Sequence, residues 1–261
     1  IENTLISEEN VETTEIKDFN NKISLEDVSF KYDDKKVLEN ISFDFEKGKK
    51  YALVGLSGSG KSTLMKLISK RIKADEGKIC IDGTDLDEIS RNSIINLIST
   101  INQNVFLFKG SIYDNITLFS KDYSEEKVKD VILKAELGKY LDRLYDKELI
   151  SENANNLSGG EKQRISIARS LIKDTKIILA DEILSSLDNE IAFSIEKGLL
   201  ELENITLISV THRLIKENLK QYDKILVLKD GKIEEKGNFE ELMNFDSYFK
   251  KLYTISEVEN N

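Results

Sequence analysis

The chain has 261 residues, which is enough for one sizeable domain with a subdomain inserted in it. Hydrophobic residues make up 39 % of the sequence and charged residues 33 %, a balance that excludes disorder of the whole chain. The 38 basic and 48 acidic side chains give a net charge of −10, which disfavours non-specific binding to nucleic acid because such a surface repels phosphate groups. The single cysteine, Cys80, excludes an intramolecular disulfide, and its apolar neighbours predict a buried thiol without a catalytic role.

The first 22 residues are polar and acid-rich, and they show no clear hydrophobic period. We interpret residues 1–22 as a linker or a frayed helix end. The sequence contains no apolar stretch close to the roughly 20 residues that span a bilayer. Its start also lacks the basic and then apolar layout of a signal peptide. Because the sequence begins with Ile1 rather than Met, we expect it to be a piece of a longer protein.

Two segments of alternating apolar and polar residues come next. They are KISLEDVSFKY, residues 22–32, and VLENISFDF, residues 37–45. This alternation is typical of strands with one exposed face. Only residues 33–36 separate them, so the sequence predicts an antiparallel sheet layer that begins at about Ile23.

The rest of the chain alternates apolar strands with helical segments. Residues 51–54, 176–180 and 205–210 are short apolar runs, typical of buried parallel strands. Residues 105–170 have mostly helical spacing, and Asp230-Gly231 predicts a closing hairpin. Strands that alternate with helices indicate an α/β fold with a mainly parallel sheet covered on both faces.

The strongest motif is a glycine-rich loop, GLSGSGKST at residues 55–63, which matches G-x-x-x-x-G-K-[ST]. Its glycines let successive backbone N–H groups point at a phosphate, and the following helix adds the positive end of its dipole. The motif predicts that Lys61 reaches the β- and γ-phosphates and that the Ser62 hydroxyl binds Mg²⁺. The residues predicted to contact the nucleotide here are Ser57, Gly58, Ser59, Gly60, Lys61, Ser62 and Thr63. A chance glycine-rich turn is the alternative, and the apolar strand before the loop and the amphipathic helix after it disfavour it.

A second motif is IILADE, residues 177–182, an apolar strand that ends in two acids. A carboxylate at a strand end suits the support of Mg²⁺ through water, which is the role predicted for Asp181. Glu182, one residue further, is predicted to polarise an attacking water molecule. Many strands end in Asp, but downstream of a phosphate loop this motif indicates ATP hydrolysis.

The third motif is LSGGEKQR, residues 157–164. Ser158 followed by Glu161 forms a capping box, so a helix is predicted to begin here. Gly159 and Gly160 leave backbone N–H groups uncovered at this helix start, which predicts a second anion site. An ordinary helix N-cap is the alternative when this motif is taken alone.

Together the three motifs resemble the nucleotide-binding domains of ABC proteins, and the resemblance runs from Ile23 to about Tyr253. The LSGGEKQR string is the signature of that family. The resemblance implies a P-loop NTPase (RecA-like) core with a mainly parallel sheet, an antiparallel β subdomain and an α-helical subdomain inserted at residues 105–170. Residues 1–22 would then follow a membrane domain, and residues 254–261 would form a C-terminal tail.

The resemblance also implies roles for single residues. Tyr32 corresponds to the aromatic residue that stacks on adenine, and Val37 is placed beside the nucleotide as well. Gln103 corresponds to the glutamine that touches Mg²⁺, residues 185–188 to the loop that crosses to a partner, and His212 to the switch histidine. The implied catalytic residues are Lys61, Gln103, Glu182 and His212. The implied metal ligands are Ser62, Gln103 and Asp181.

ATP and Mg²⁺ are the implied ligands, and a head-to-tail dimer is the implied assembly. Each ATP would lie between the phosphate loop of one copy and Ser158, Gly159 and Gly160 of the other. The expected partners are a second copy or a paired ABC domain when ATP is present, and the transmembrane domain of a transporter, with no nucleic acid. The domain would lie at the cytoplasmic face of the membrane.

Two features favour a type I exporter within the family. The segment NVFLFKGSIYDNI after Gln103 is similar to the one that receives the coupling helices of exporters, and Glu152 precedes Leu157 by five residues, as an exporter glutamate often does. Two positions and one segment depart from the family pattern. Ala154 replaces a glycine, Asn104 replaces an acid, and Ile183-Leu184-Ser185-Ser186-Leu187-Asp188 stands where the family commonly has ATSALD.

Other readings of the family resemblance stay open. The chain is alternatively a stand-alone ATPase subunit of an importer, or a soluble ABC ATPase that acts on DNA or ribosomes. The net charge, the single ABC cassette and the absence of a coiled-coil insertion disfavour the soluble class. A binding module without catalysis is disfavoured because Glu182 and His212 are both present. The exported substrate is chosen by the membrane domain in this family, so the sequence names none.

Overall fold

The computed structural model describes residues 14–102, 105–184, 187–244 and 246–259. Within these ranges the strands are β1 (Lys22–Tyr32), β2 (Lys35–Glu46), β3 (Lys50–Val54), β4 (Glu76–Ile81), β5 (Thr84–Asp85), β6 (Ile98–Ile101), β7 (Ile177–Asp181), β8 (Thr206–Val210), β9 (Lys224–Lys229) and β10 (Lys232–Gly237). The α-helices are α1 (Lys61–Ile68), α2 (Arg91–Leu97), α3 (Ile112–Thr117), α4 (Glu125–Lys134), α5 (Gly159–Leu171), α6 (Asn189–Leu200), α7 (Lys216–Leu219), α8 (Phe239–Met243) and α9 (Tyr248–Glu259). None of these helices combines the length and the apolarity that a bilayer crossing requires.

A six-stranded sheet forms the centre, in the order β10-β9-β3-β8-β7-β6. Five of its strands are parallel, and only β10 runs antiparallel to its neighbour β9. Every residue of β3 and β8 is buried, as the apolar runs at 51–54 and 205–210 predicted. The predicted mainly parallel sheet is confirmed, and so is the hairpin at Asp230-Gly231.

The two faces of this sheet cover two separate hydrophobic cores. In β3, Ala52 and Val54 point into the core shared with the helical part of the chain. Tyr51 and Leu53 point into the core shared with α1 and the antiparallel sheet. The side chains of a strand alternate between its faces, so one short strand joins both cores.

The antiparallel sheet has the order β2-β1-β4-β5, which confirms the predicted antiparallel β subdomain. Strands β1 and β2 pair Ile23 with Phe45 and Leu25 with Phe43, and these four side chains are buried. Cys80 lies in β4 and is buried as predicted, and burial raises the pKa of its thiol.

The helical insertion is less regular than the sequence predicted. Helices α3, α4 and α5 are present, and α5 packs on both others, but short 3-10 turns at Gly138–Arg143 and Glu152–Ala154 separate α4 from α5. Ala154, which replaces a family glycine, has φ 51°, so this position keeps the left-handed backbone that glycine adopts most easily. Helical spacing of apolar residues does not predict such a turn, because the turn depends on the backbone conformation of single residues.

Both ends of the described chain pack against the domain. Thr14 pairs with Ile89, and Phe19 is only 1 % exposed, so residues 14–21 lie on the domain surface rather than away from it. At the other end α9 continues to Glu259, through residues that the sequence suggested as a tail. Phe249 and Tyr253 hold this helix against Phe239 through ring contacts of 6.1 and 5.5 Å.

Candidate functional site

The loop between β3 and α1 is shaped by glycines in conformations that other residues avoid. Gly55, Gly58 and Gly60 have φ of 154°, 81° and 104°. A Cβ atom on Gly55 would lie 2.2 Å from the carbonyl oxygen of Leu228, and one on Gly60 would lie 2.9 Å from that of Val37. The loop therefore passes so close to neighbouring backbone that two of these three positions have no room for a side chain.

The predicted phosphate contacts surround this loop. Ser57 and Gly58 are exposed at its tip, Ser62 is half-buried, and Ser59, Gly60, Lys61 and Thr63 are buried. The Oγ atom of Ser59 is buried and has no hydrogen-bond partner among the residues that the structure describes. A buried hydroxyl without a partner costs free energy, so a phosphate oxygen at the loop would satisfy a group that the protein leaves unpaired.

Lys61 lies at the centre of the loop. Its Nζ donates hydrogen bonds of 2.9 Å to the carbonyl oxygens of Gly55 and Leu56. Burial lowers the pKa of Lys61, and the nearby carboxylates of Glu182 and Asp181 oppose that shift. The loop thus holds a buried ammonium group beside the N-terminus of α1, an arrangement suited to a polyphosphate.

Ser62 and Asp181 join the first turn of α1 to the end of β7. The Oγ atom of Ser62 donates to Oδ1 of Asp181 at 2.9 Å. Burial raises the pKa of Asp181, the Ser62 hydrogen bond opposes this, and the Glu182 charge adds to it. A hydroxyl and a carboxylate at this distance fit Mg²⁺, which takes few protein oxygens and keeps several waters. Gln103, the third expected ligand, lies outside the described residues.

Glu182 and His212 meet across the ends of β7 and β8. The distance from His212 Nε2 to Glu182 Oε1 is 2.8 Å. The His212 side chain is 41 % exposed and the Glu182 side chain is 27 % exposed, so solvent reaches both. Glu182 has φ 50°, a left-handed conformation that costs a residue with a side chain on the order of 1 kcal/mol or more. Glu182 therefore departs from strand geometry at the residue whose side chain contacts His212.

Tyr32 and Val37 lie on the antiparallel sheet beside the loop. Tyr32 is 43 % exposed and packs edge-on against Phe30, with 4.8 Å between ring centroids. Lys66 of α1 places its Nζ 6.0 Å from the Tyr32 ring, which fixes the ring next to the phosphate-loop helix. An exposed aromatic face at this position suits the stacking of a purine base.

Ser158 begins α5 with the predicted capping box. Its Oγ accepts a hydrogen bond from Glu161 N at 3.2 Å, and Ser158 N donates to Glu161 Oε2 at 2.8 Å. Glu161 also accepts hydrogen bonds from Lys139 and Tyr140. Burial opposes ionisation of Glu161, but hydrogen bonds from Lys139, Tyr140 and Ser158 outweigh it and lower the pKa to about 2.

Gly159 and Gly160 form the first turn of α5, where Gly159 is exposed and Gly160 half-buried. The hydrogen bonds that fix this helix start come from residues 139, 140, 158 and 161, all within the helical insertion. The second predicted anion site is therefore a helix N-terminus at the surface, and the hydrogen bonds described at it come from the insertion and not from the phosphate loop. The loop at 185–188 is described only from Leu187 onwards, so Ser185 and Ser186 lie outside the described residues.

The structure adds contacts that sequence reasoning missed. Gln163, inside the LSGGEKQR motif, donates from Nε2 to the carbonyl oxygen of Asn102 at 3.1 Å. Arg169, two turns further along α5, donates to the carbonyl oxygens of Phe106 and Asn115. Helix α5 thus holds both ends of the segment around Gln103. The sequence does not show which distant backbone group a long polar side chain on a helix will bind.

An exposed aromatic cluster follows the same segment. Phe106, Phe108 and Phe119 are 68 %, 40 % and 58 % exposed, and their rings touch in an edge-to-face chain with centroid distances of 5.1 and 5.7 Å. The sequence indicated the segment NVFLFKGSIYDNI but not Phe119, which lies beyond it. Only the fold of α3 brings that ring back to Phe108.

The comparison with known families decides the classification. Residues 38–185 match the family model described as ABC transporter, which is more than half of the chain. The chain belongs to the ABC transporter family. As a domain of that family it binds and hydrolyses ATP, and the phosphate loop, Asp181, Glu182 and His212 all lie at the same edge of its central sheet.

Individual ABC proteins resemble the chain over most of its length. It is 39 % identical over 236 residues to an ATP-dependent lipid A-core flippase of Neisseria meningitidis serogroup B, covering 89 % of this chain and 38 % of the flippase. It is 37 % identical over 252 residues to the protein of the same name from Desulfotalea psychrophila, covering 95 % of this chain and 44 % of that protein. The chain therefore spans about two fifths of the length of these relatives.

A solved ABC structure shows the same fold. The structure of a bacterial Atm1-family ABC exporter with ATP bound superimposes with a TM-score of 0.86 at 30 % sequence identity. The alignment covers 96 % of this chain and 46 % of the exporter chain. The P-loop NTPase fold with its antiparallel and helical subdomains, predicted from the motifs, is confirmed.

Proposed function

We propose that this ATPase domain drives the export of a substrate across a membrane as part of a longer transporter. The observation that carries the ATPase chemistry is the 2.8 Å contact between Glu182 and His212 at the open edge of the sheet. The observations that favour export over import are the relatives named flippases and the solved exporter of the same fold. A soluble ABC ATPase that acts on nucleic acid fits these relatives and the net charge of −10 less well.

The chain's own residues divide the work of hydrolysis. Lys61 and the loop amides bind the β- and γ-phosphates, and Tyr32 stacks on the base. Ser62, Asp181 and Gln103 would hold Mg²⁺, which when bound neutralises charge on the phosphates. Glu182 orients and polarises the attacking water, because its carboxylate is solvent-accessible and its charge acts on Lys61 of the phosphate loop.

His212 positions Glu182 in this proposal. The contact fixes the position of the Oε1 atom of the Glu182 carboxylate. His212 is also exposed enough to reach a γ-phosphate that enters from the same side. The pair thus links the state of the nucleotide to the orientation of the base.

We propose a head-to-tail dimer in which Ser158, Gly159 and Gly160 of a second copy or a paired ABC domain complete the site. The support is physical: the start of α5 is an exposed helix N-terminus, and such an end attracts a phosphate. Because the hydrogen bonds described at this helix start come from the helical insertion and none from the phosphate loop of the same chain, we take another molecule as the donor of the second anion site. ATP would then join the two copies, and hydrolysis would release them.

The exposed aromatic cluster of Phe106, Phe108 and Phe119 is proposed as the docking surface for the membrane domain. Aromatic side chains in contact and open to solvent are typical of an interface. Arg169 and Asn115 tie the backbone beneath them to α5, so movement of the helical insertion would move the docking surface. The domain would lie at the cytoplasmic face, where ATP is available, with residues 1–22 leading from the membrane domain and residues 23–253 forming the ATPase.

The ATPase proposal is tested with Glu182→Gln in the 261-residue chain. The amide keeps the size and a hydrogen bond to His212 but does not attract a proton from water, so turnover should fall more than tenfold while ATP affinity stays the same. Phosphate release and equilibrium titration with ATP measure the two quantities. Glu148→Gln, an exposed glutamate in the helical insertion, serves as the control and should behave as the wild type. Turnover above a tenth of the wild-type rate in Glu182→Gln would exclude Glu182 as the base.

The dimer is tested with Ser158→Asp. Aspartate caps a helix as well as serine does, so α5 should remain folded, but its charge would face the triphosphate of the partner. In the Glu182→Gln background, ATP should double the molecular mass, and the added Ser158→Asp should prevent this without changing ATP affinity of the monomer. Light scattering with ATP and with ADP gives the result, and an ATP-dependent dimer that survives Ser158→Asp would contradict assembly through this helix end.

The docking surface is tested in the complete transporter that contains this chain. Phe106→Ser with Phe119→Ser should leave the ATPase rate of the 261-residue chain within about twofold of the wild type, because neither ring contacts the site. The same pair should uncouple hydrolysis from transport or lower the yield of the assembled transporter. Transport and assembly at wild-type levels would show that the membrane domain docks elsewhere.

A further inference from the structure

The loop that carries Glu182 is held at both ends by two consecutive residues of another loop. His212 contacts Glu182 at the start of the loop, 2.8 Å from Nε2 to Oε1. Arg213 donates from Nη2 to the carbonyl oxygen of Leu187 at its other end, at 2.6 Å. Leu187 immediately precedes Asp188, the N-cap of α6. The backbone of the second loop is fixed in turn by Thr211, whose Oγ1 donates to Arg213 O at 3.0 Å.

The charge of Arg213 acts on the buried carboxylate of Glu196. Glu196 of α6 is 2 % exposed, and it accepts hydrogen bonds from Asn218 Nδ2 at 2.7 Å and from Tyr222 OH at 2.8 Å. Burial raises the pKa of Glu196, while Asn218, Tyr222 and the charge of Arg213 act against that shift. Burying a carboxylate is costly unless hydrogen bonds and a nearby cation compensate. The described part of the chain provides both.

The hydrogen bonding of this cluster is incomplete. Nη1 of Arg213 and Oδ1 of Asn218 are both buried without a partner among the described residues. One is a donor and the other an acceptor in the same cluster. Among the described residues, the Arg213 guanidinium donates one hydrogen bond, to the carbonyl oxygen of Leu187, and its charge acts on Glu196.

We propose that Arg213 is a positioning residue for ATP hydrolysis, which clamps the far end of the Glu182–Leu187 loop and, with Glu196, fixes the orientation of Glu182 towards water. This inference rests on the proposed role of Glu182 and deepens it. Arg213 does not touch the phosphate loop in this arrangement, so its loss changes the placement of the base and not the affinity for ATP.

Two variants separate the contribution of Arg213 to the charge balance around Glu196 from its hydrogen bond to Leu187. Arg213→Met alone removes the cation that acts on the buried carboxylate of Glu196, so this variant is expected to unfold more easily. Arg213→Met with Glu196→Gln removes both charges, and the new amide can donate to the unpaired Oδ1 of Asn218, so stability should return. The clamp is still missing in this double variant. Its kcat should therefore stay at least tenfold below the wild type, with the Kd for ATP within twofold.

The matched control is Arg143→Met, since Arg143 is an exposed arginine paired only with Asp146 among the described residues. A double variant with kcat within twofold of the wild type would overturn the clamp and leave Arg213 a purely structural role. If the double variant does not fold by circular dichroism, Arg213→Lys decides the question, because it keeps the charge near Glu196 but shortens the donor. A tenfold fall in kcat at unchanged Kd supports the clamp, and an unchanged kcat overturns it.

The outcome also distinguishes this inference from the function on which it rests. Absence of ATPase activity in the wild type and in Arg143→Met would overturn both. Activity in those two proteins that is lost in Glu182→Gln but kept in the double variant would overturn the clamp alone.

Discussion

Gly60 and Leu38 touch so closely that any side chain at Gly60 would collide, since an added Cβ atom would lie 2.6 Å from Leu38 Cδ2. Leu38 is 1 % exposed in β2 and belongs to the core under the antiparallel sheet. The phosphate loop is therefore fixed to the antiparallel subdomain and not only to β3 and α1. This contact connects the nucleotide site to the sheet that carries Tyr32.

This contact predicts the effect of Gly60→Ala. The methyl group would displace Leu38 and would also force alanine into φ 104°, so we expect a loss of at least about 2 kcal/mol in the free energy of unfolding. Gly58→Ala is the matched control, because Gly58 also has a positive φ, 81°, but an added Cβ would meet nothing within 4 Å. Urea unfolding of the two variants measures the difference, and equal destabilisation would show that backbone conformation alone, without the collision, determines the loss.

Lys61→Met should weaken ATP binding by about 10- to 100-fold. A hydrogen bond to a charged group contributes about 1.5–3 kcal/mol, which corresponds to this range of affinity. Methionine keeps most of the buried volume, so the fold should be retained. Lys47→Met, an exposed lysine at a turn, should leave the affinity unchanged. Titration with a non-hydrolysable ATP analogue gives the affinities, and a Kd within twofold of the wild type for Lys61→Met would contradict the phosphate-binding role.

Asp181→Asn should make nucleotide binding less responsive to Mg²⁺. The amide keeps an oxygen acceptor for the Ser62 hydroxyl but lacks the negative charge, so the apparent Mg²⁺ affinity in the presence of ATP should fall about 10- to 100-fold. Affinity for ATP without Mg²⁺ should stay the same or rise, because a negative charge near the phosphates is removed. A titration with Mg²⁺ at fixed ATP measures the effect. Asp130→Asn, at an exposed position of α4, is the control, and an identical Mg²⁺ response in both variants would exclude Asp181 as a metal ligand.

The start of α5 should lose stability in acid at a pH set by Glu161. Its pKa is lowered to about 2 in the folded chain, from an ordinary value of 4.5, so ionised Glu161 stabilises the fold above about pH 4.5. That contribution is lost as the pH falls from about 4.5 towards about 2, and it amounts to at most about 3 kcal/mol. The difference in unfolding free energy between the wild type and Glu161→Gln should therefore be constant from pH 7 to pH 5 and should shrink below pH 4.5. A difference that does not change between pH 7 and pH 3 would contradict the ionised capping network.

Local sequence rules determined the phosphate loop and the start of α5. The spacing of Gly55, Gly60 and Lys61 and the pair Ser158 and Glu161 act within single turns, where chain connectivity alone brings the groups together. Apolar runs without alternation likewise predicted the parallel strands, because a strand buried on both faces needs apolar side chains on both. These features follow from residues near one another in the chain, so the sequence predicted them.

Only the tertiary structure brought distant residues together. The contacts from Ser62 to Asp181, from Glu182 to His212 and from Arg213 to Leu187 join residues 119, 30 and 26 positions apart. The family resemblance suggested the first two, but nothing in the sequence indicated the third. Parallel strands place their carboxyl ends at one edge of a sheet whatever their order in the chain. The site exists because β3, β7 and β8 are neighbours, and strand order is a property of the whole fold that no local pattern contains.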